Sequence, residues 1–437
     1  FLINVFILVF GFLFNFMDFL YELDEYQRRA VCDTDGRILV LAGPGSGKTR
    51  VVTYKVAYLI AKGVLPRSIL CLTFTNKAAD EMRKRVKELI GEEGHNVWAG
   101  TFHSYCARLL RRYGEFVGVP RNYTIYDEDD ERRVIRELIK RYDVNLQVDE
   151  VYSQIERAKS RYYDESLIES FLRESEIKCG LRGLYNIYLA YRQTLLRANA
   201  LDFSDLLVKA VRLLHTKVRK WVSPKYLIVD EFQDTNLIQY YITELLAREY
   251  GNVTCVGDED QSIYGFRGAV VENIFRFKNR GARVYVLPRN YRSTKVIVEA
   301  SRHVIEKNEL HYPKELHTEN ESGSHIVVRG FLYPQDEAEW VCDEIEQNSY
   351  RDACILVRTQ AQTRAFEDEF VKRGIPYIII GTLRFYDRKE IKDILAYLRL
   401  VYNKDDDCAF LRACNTPSRG IGKKTICLLY TSPSPRD

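Results

Sequence analysis

The sequence lacks an excess of charge of either sign. Its 437 residues include 65 Lys and Arg against 61 Asp and Glu, which leaves a formal net charge of +4. Overall charge therefore does not indicate a nucleic-acid partner, and any site for one must be a local groove. Paired cysteines are missing as well, since none of the ten forms a C-x-x-C pair or has metal-ligand spacing. Cysteines inside apolar runs are typical of a reducing compartment, so a cytoplasmic protein is predicted.

A full membrane-spanning run is also missing, although residues 1–16 come near one. They are almost entirely Phe, Leu, Ile, Val and Asn, and Asp18 closes the run. A spanning helix needs ~20 apolar residues, and a signal peptide needs a basic start and a small-residue cleavage site. Neither pattern is met, so we interpret residues 1–16 as translated upstream sequence before a start at Met17, with a membrane anchor as the alternative. Residues 427–437 are interpreted as an artefactual tail.

The stretch that organises the chain is residues 42–49, Ala-Gly-Pro-Gly-Ser-Gly-Lys-Thr. It follows an apolar run at 37–41 and precedes apolar residues at helical spacing, so it stands between a strand and a helix. Its glycines let the backbone curl its N–H groups toward phosphate oxygens, beside the positive end of the helix. Lys48 would reach the β- and γ-phosphates, and the Thr49 hydroxyl would ligate Mg²⁺. The alternative is a glycine-rich turn before an amphipathic helix.

Polar and aromatic residues follow two further predicted strands, at 69–73 and 97–101. Open α/β sheets bind ligands beyond the carboxyl ends of their strands, so these side chains are expected on the ligand side. They are Phe74, Thr75, Asn76, Phe102 and His103. The phenylalanines suit base stacking and the Thr and Asn suit phosphate contacts, although ordinary packing is an open alternative for the second phenylalanine. The histidine is interpreted as a hydrogen-bonding residue rather than an acid or base.

Charged amphipathic helices replace the strand pattern between residues 106 and 200. They are predicted at 127–142, 149–161, 165–176 and 184–197. We interpret them as a helical insertion into the sheet domain. The next predicted strand ends at Asp230 and Glu231. In a P-loop enzyme the first carboxylate would hold Mg²⁺ and the second would orient and deprotonate the attacking water; a solvated corner is the alternative.

Two more predicted strands, at 253–256 and 283–287, lead into residues 257–269 and 290–294. With the loop at 42–49 and the two carboxylates, these stretches resemble the motifs of the UvrD/Rep/PcrA family of superfamily 1 DNA helicases, in family order. The resemblance runs from about Leu23 to Gly422. It implies an α/β fold: a RecA-like P-loop NTPase domain with a helical insertion, followed by an incomplete second RecA-like domain.

The resemblance also implies roles at an ATP site. Gln27 would contact adenine and Tyr291 would stack on it. Gln261 would sense the γ-phosphate, and Arg292 would place a cation on it, which is how phosphoryl transfer is chiefly helped. The residues beside the nucleotide, its phosphates and Mg²⁺ would be Gly43, Gly45, Ser46, Gly47, Lys48, Thr49, Arg50 and Asp230.

For DNA, the resemblance implies single-strand contacts by Phe74, Tyr264, Phe266 and Arg267, and by Arg358 and Gln360 from the second domain. A phenylalanine stands at position 266 where the family usually has Trp, which keeps a stacking face but reduces its area. Position 360 carries Gln where the family has Asn, so one contact there is in doubt. In the second domain we predict strands at 325–331, 353–357 and 377–380 and a helix at 388–402.

The predicted domains follow from these assignments. Residues 17–105 and 201–290 form the first RecA-like domain, 106–200 the insertion, 291–400 the second RecA-like domain, and 401–426 the start of a second helical subdomain. The predicted function is ATP-driven 3′ to 5′ movement on single-stranded DNA and at single-strand/duplex junctions, by family analogy. Two motifs that the family places further along are not in the sequence, so the polypeptide is expected to lack full activity. A nucleotide-gated DNA-binding module, a helicase-nuclease subunit and an RNA-directed helicase are the alternatives; no membrane partner is predicted.

Overall fold

The computed structural model describes residues 18–348, 353–380, 389–422 and Thr425. The two end segments interpreted above, residues 1–16 and 427–437, lie outside this described part. The chain forms two compact units: one comprises the described residues up to Gly323 together with those from Ala396 onward, and the other those from Ser324 to Leu395. Within the described ranges, no helix has both the length and the apolar character needed to cross a bilayer.

A six-stranded parallel sheet forms the centre of the first unit, in the order β3-β2-β6-β7-β1-β8. Two short parallel pairs accompany it, β4 with β5 and β9 with β10. The strands are β1 (Arg37–Ala42), β2 (Ile69–Thr73), β3 (Trp98–Thr101), β4 (Thr124–Ile125), β5 (Ala200–Leu201), β6 (Tyr226–Val229), β7 (Val253–Gly257), β8 (Arg283–Leu287), β9 (Arg289–Asn290) and β10 (His317–Thr318). The predicted strands of the first half are confirmed, and so is the α/β fold class.

Helices cover both faces of the sheet, as buried parallel strands require. In this half they are α1 (Glu25–Cys32), α2 (Lys48–Ala61), α3 (Asn76–Ile90), α4 (Phe102–Tyr113), α5 (Glu128–Tyr142), α6 (Val148–Lys159), α7 (Glu165–Lys178), α8 (Leu184–Arg197), α9 (Phe203–Leu214), α10 (Val218–Val222), α11 (Leu237–Ala247), α12 (Glu272–Asn279) and α13 (Lys295–Ile305). Strand β1 shows how the core is divided. Ile38 and Val40 pack with α1–α3, whereas Leu39 and Leu41 face α4, α9 and α11, because successive side chains of a strand point to opposite faces.

Helices α5–α8 form a separate core of their own. Val134, Leu172 and Tyr188 are among its buried members, and β4 and β5 pair at its base. The predicted helices at 127–142, 149–161, 165–176 and 184–197 are thus confirmed within a few residues. Helix α4, by contrast, packs into the core of the sheet through Phe102 and Leu109.

The second unit contains two packed helices, α14 (Pro334–Asn348) and α15 (Thr363–Arg373). Phe366 and Phe370 on α15 meet Ala338 and Cys342 on α14. The strands predicted at 325–331, 353–357 and 377–380 are wrong, since the structure assigns no strand to these described residues. Their apolar side chains lie largely open, with Val328 93% and Ile380 93% exposed, so no neighbouring strand or helix layer covers them.

Two last helices, α16 (Lys389–Tyr402) and α17 (Asp407–Ala413), follow. The segment between them docks on the α5–α8 core. Asn403, fully buried, donates from Nδ2 to Thr124 Oγ1 and to the Ala198 carbonyl, each at 2.9 Å. Tyr126 donates its hydroxyl to the buried carboxylate of Asp406 at 3.0 Å. The core of the insertion is therefore completed by residues about 200 positions later in the chain.

A buried charge cluster joins α6 to the start of α9. The Lys159 ammonium lies 2.5 Å from Asp202 Oδ2 and 2.7 Å from Asp205 Oδ1. The Tyr191 hydroxyl lies 2.9 Å from the same Asp202 oxygen and 3.2 Å from Glu131 Oε2. Burial, and then the charge of Asp202, raise the pKa of Glu131 to about 10. The Glu131 carboxyl is therefore protonated in the folded protein at neutral pH.

This protonation predicts a pH-dependent stability. In the unfolded chain a Glu loses its proton near pH ~4.3, whereas folded Glu131 keeps it, so the folded state binds more protons between these values. The contribution of this group is full below the unfolded pKa and is lost as the pH rises toward the folded one. We expect the free energy of unfolding to fall as pH rises from about 5 to about 9, and Glu131→Gln to reduce that slope. Denaturant titrations measure it; an unchanged slope, or the same reduction in the exposed control Glu137→Gln, would contradict the assignment.

Candidate functional site

The loop between β1 and α2 is curled tightly on itself. Gly45 and Gly47 have φ of 70° and 89°, in the left-handed region that glycine adopts without strain. The Ser46 hydroxyl donates to the Gly43 carbonyl at 2.7 Å, and the Lys48 ammonium donates back to the carbonyl of Ala42 at 3.2 Å. The loop therefore holds its curled form in this structure through its own contacts, and the lysine lies folded over it.

Gln27 on α1 fixes the loop from one side. Its side chain is 1% exposed, and its Nε2 donates to the Ser46 carbonyl at 3.0 Å. A Cβ at Gly47 would stand 2.7 Å from the same nitrogen, so a side chain there would push the two apart. Asp24 caps α1 by accepting from the backbone N–H of Gln27 at 2.7 Å. The structure thus brings the predicted adenine-binding Gln into contact with the loop.

Asn290 on β9 fixes the loop from the other side, and sequence reasoning gave it no role. Its Nδ2 donates to the Pro44 carbonyl at 2.6 Å, while its Oδ1 accepts from the backbone N–H groups of Arg292 and Ser293 at 2.8 and 2.7 Å. The backbone N–H of Tyr291 donates to the Gly45 carbonyl at 2.9 Å. The signal was an Asn directly before the Tyr-Arg pair, since Asn often hydrogen-bonds the backbone two residues on.

The predicted base-stacking and phosphate-binding side chains surround this contact. The Tyr291 hydroxyl donates to Asp24, and the ring lies under the Arg289 guanidinium at 4.8 Å. Arg50 is paired with Glu22 at 3.1 Å. Arg292 is exposed, and among the described residues its guanidinium has no ion-pair partner. A cation next to the loop is therefore available for a phosphate.

Three carboxylates and one ammonium meet where β6 ends. Burial, and then the charge of Glu231, raise the pKa of Asp230 to about 7, although Lys48 opposes the shift. Burial and Glu231 likewise raise the pKa of Asp234 to about 7, and its Oδ1 is buried without a hydrogen-bond partner among the described residues. These carboxylate oxygens are hard donors of the kind that Mg²⁺ prefers, and the unpartnered Asp234 Oδ1 fits such an ion.

The Glu231 carboxylate is aimed by two features. Its backbone has φ 49°, a left-handed conformation that is uncommon outside glycine and is found at functional sites. Its Oε2 accepts from Gln233 Nε2 at 2.7 Å. The other end of that amide, Oε1, accepts from the backbone N–H of Asp258 at 3.0 Å, which joins β6 to the end of β7. Sequence reasoning missed Gln233, although it lies two residues after the acidic pair.

Residues 257–268, here called the sensor loop, begin at Gly257, the last residue of β7. Gln261 does not stand free: its Nε2 donates to Asp258 Oδ2 at 2.6 Å. A Cβ at Gly257 would stand 2.7 Å from Gln233 Oε1, so the loop can begin this close to the acidic pair only without a side chain. The structure therefore brings the predicted γ-phosphate sensor to the same edge of the sheet as the loop at 42–49.

The same sensor loop carries the predicted DNA-stacking rings. Tyr264 lies between Phe74 and Phe266, with ring centroids 4.8 and 6.0 Å apart, and Phe266 is 69% exposed. The Arg267 guanidinium lies 5.4 and 5.6 Å from the centroids of the Tyr264 and Phe266 rings. Thr75 caps the exposed start of α3 by accepting from Ala78 N–H at 3.1 Å. The three rings, the Arg267 guanidinium and the start of α3 therefore form one surface.

Two further residues were predicted to contact DNA, Phe102 and His103. Phe102 is 4% exposed inside the sheet core, so of the two interpretations left open the structure favours packing over base stacking. His103 meets the ring of Phe203 edge-on at 5.9 Å, and burial lowers its pKa to about 4. It is therefore neutral at pH 7 and can contact DNA only as a hydrogen-bonding group. Arg358 and Gln360 lie exposed in the second unit.

Comparison with known proteins assigns both halves of the chain. The profile of the UvrD/REP helicase N-terminal domain matches residues 23–281, and that of the UvrD-like helicase C-terminal domain matches residues 285–434. The chain is 40% identical over 417 residues to the ATP-dependent DNA helicase PcrA of Staphylococcus aureus, covering 93% of this chain and 57% of that protein. For the protein of the same name from Staphylococcus epidermidis the identity is 41% over 422 residues, covering 94% and 58%. The chain thus spans little more than half the length of these relatives.

Because Asn290 hydrogen-bonds to the loop, we predict that this side chain supports nucleotide binding. Replacing Asn290 by Ala removes three hydrogen bonds that hold the Pro44 carbonyl and the backbone of residues 292 and 293. At ~0.5–1.5 kcal/mol each, partly recovered by water, their loss should weaken ATP binding by about tenfold. A fluorescent ATP analogue measures this.

Asn252→Ala is the matched control. Asn252 also bridges two backbone segments, Gly36 and Lys225, but at the opposite ends of the strands. We expect its nucleotide affinity to match that of the unmodified protein. Equal losses in the two variants would mean that Asn290 acts on stability alone.

Proposed function

The chain belongs to the UvrD/REP helicase family, and from this premise we propose that it binds ATP with Mg²⁺ and hydrolyses it to move along single-stranded DNA. The observation that carries the proposal is that one edge of a single parallel sheet holds both the curled glycine-rich loop at 42–49 and three adjacent aromatic rings, of which Phe266 is exposed. Lys48 and Glu231 belong to the proposed nucleotide site, and Tyr264 belongs to the proposed DNA site.

The nucleotide half of the mechanism uses residues that are already close together. The backbone N–H groups of the loop would bind the phosphates, and Lys48 would exchange the Ala42 carbonyl for a phosphate oxygen. Thr49 and Asp230 would hold Mg²⁺, which when bound offsets charge on the phosphates. Gln27 and Tyr291 would bind the base at the entrance of the loop.

Hydrolysis needs a base for water and a cation for the phosphate. Glu231, aimed by Gln233, would accept the proton of the attacking water. Arg292 would stabilise charge on the γ-phosphate because its guanidinium is exposed beside the loop. Gln261 would leave Asp258 for the γ-phosphate, which makes its position depend on the nucleotide.

The DNA half uses a surface without base-specific hydrogen bonding. The rings of Phe74, Tyr264 and Phe266 would stack on successive bases, and Arg267 would attract the strand. The capped start of α3, with Thr75 and Asn76, offers backbone N–H groups to phosphates. Movement in the 3′ to 5′ direction and action at single-strand/duplex junctions are proposed by analogy with the family, and duplexes with 3′ or 5′ tails distinguish the directions.

The role of Glu231 predicts a separation of binding from hydrolysis. In the intact protein, Glu231→Gln should keep ATP affinity, because the loop and its neighbours are unchanged. DNA-stimulated hydrolysis should fall by about 100-fold or more, the usual size of a lost general base. Lys48→Ala should weaken binding as well as hydrolysis. Wild-type turnover in Glu231→Gln would show that another group activates the water.

The adjacent rings of the sensor loop predict how substitutions change the affinity for single-stranded DNA. Tyr264→Ala and Phe266→Ala should each cost roughly 1–3 kcal/mol in single-strand binding, with little sequence preference, since every base has a stacking face. Anisotropy with mixed-sequence oligonucleotides measures the loss. Trp221→Ala is the control, because this ring is also exposed but lies on α10, which leads into the opposite end of β6. Unchanged affinity in both ring variants would remove the DNA assignment from this surface.

A further inference from the structure

A buried lysine stands under the sensor loop, outside every motif used so far. The Lys314 ammonium lies 2.6 Å from Asp258 Oδ1, 2.5 Å from Glu259 Oε1 and 2.9 Å from Asp260 Oδ2. Its side chain is 1% exposed. Burial alone would lower the pKa of Lys314, but Asp258 and Glu259 outweigh burial and raise it. One ammonium thus holds three consecutive carboxylates at the start of the loop.

The carboxylate of Asp258 passes this contact on to the nucleotide site. Its Oδ1 accepts from Lys314, and its Oδ2 accepts from Gln261 at 2.6 Å. Its backbone N–H donates to Gln233, which in turn donates to Glu231 at 2.7 Å. The carboxylate of Asp258 thus links Lys314 directly to the proposed sensor, and the backbone of the same residue contacts Gln233, which holds the proposed base.

Residues 308–318, here called the strap, tie Lys314 to both ligand sites. At one end His311 Nδ1 lies 2.9 Å from Asp260 Oδ2, four residues before the stacking ring Tyr264. At the other end Leu316 fills the space beside Gly43, where a Cβ would stand 2.6 Å from its methyl carbon. Strand β10 then pairs with β9 next to Asn290. The strap contacts the sensor loop and the phosphate-binding loop in succession.

The carboxylates do not call for a metal ion. Ligand atoms of Glu259, Asp260 and His311 lie within 4.8 Å of one another, the spacing of a cation site. The Lys314 ammonium already lies within 2.9 Å of the carboxylate oxygens of that group. A protein cation therefore occupies the position where an ion would bind.

We propose that Lys314 is a positioning residue through which single-stranded DNA stimulates ATP hydrolysis. It touches neither ligand. Without it, three adjacent carboxylates would repel one another in a buried, weakly screened place, and the sensor loop would lose its fixed start. Bases stacking on Tyr264 and Phe266 would then no longer set the position of Gln261. This inference rests on the proposed function, because it assigns the link between that function's two sites.

The test is Lys314→Met in the intact protein, with ATP hydrolysis measured with and without single-stranded DNA. We expect the stimulation ratio to fall by about tenfold or more, so that the DNA-stimulated rate loses more than the basal rate, while the KM for ATP changes by less than about twofold. Thermal unfolding is recorded in parallel. Retained stimulation, or equal losses of the basal and stimulated rates, would overturn the proposal, because a purely structural lysine lowers both rates together.

Two variants keep the result interpretable. Arg37→Met breaks another ion pair of the same sheet, with Glu244 at 2.5 Å, at the opposite end of β1. It should lower stability and keep stimulation. The double variant Lys314→Met with Glu259→Gln also removes one of the carboxylates that the first change leaves unpaired, so it should fold even if the single variant does not. We expect it to show the same loss of stimulation by DNA. Retained stimulation in the double variant would also overturn the proposal. Absence of stimulation in the unmodified protein would instead overturn the proposed function, and the inference with it.

Discussion

The structure depends on how closely other segments approach the glycine-rich loop at residues 42–49. A Cβ at Gly43, Gly45 or Gly47 would stand 2.6 to 2.7 Å from a neighbouring side chain, belonging in turn to Leu316, Arg292 and Gln27. The loop is therefore both curled and enclosed, and three segments distant in sequence are positioned by it. A side chain at any one of these glycines would displace the segment that approaches it, which is the strap at Gly43, the segment of Arg292 at Gly45 and the helix of Gln27 at Gly47.

Electrostatics gives the enclosed edge its chemistry. Near the loop, burial and then the charge of Glu231 raise the pKa of Asp230 and of Asp234 to about 7, while Lys48 opposes both shifts. At the sensor loop the ratio of three carboxylates to one lysine recurs, but there Lys314 contacts every carboxylate directly. Each cluster has one buried carboxylate oxygen without a hydrogen-bond partner among the described residues, Asp234 Oδ1 in the first and Glu259 Oε2 in the second. The second cluster differs in that its ammonium contacts every carboxylate.

Local patterns were enough to predict the sheet and the loop. Ile38 to Leu41 divide between two faces by the strand period alone, and the glycines and lysine of the loop lie within six residues. The contact of Asn290 with Pro44 and that of Lys314 with Asp258 were not predictable because they join residues 246 and 56 positions apart. The prediction of strands in the second unit was wrong for a related reason. An apolar run indicates a candidate strand, but a strand also needs a neighbouring strand to hydrogen-bond with, and the described residues of that unit provide no such neighbour.

The sensor loop is fixed at both ends and open between them. At its start Lys314 holds Asp258, and at its end a Cβ at Gly268 would stand 3.2 Å from Ser160, the residue after the buried Lys159. The segment between carries Gln261 and the exposed rings on a short span of backbone. Gln261 lies three residues before Tyr264 and five before Phe266, so the proposed sensor and two of the proposed stacking rings share one short segment of the loop. Because the Asp258 carboxylate contacts both Lys314 and Gln261, the anchored start of the loop and the proposed sensor meet at one side chain.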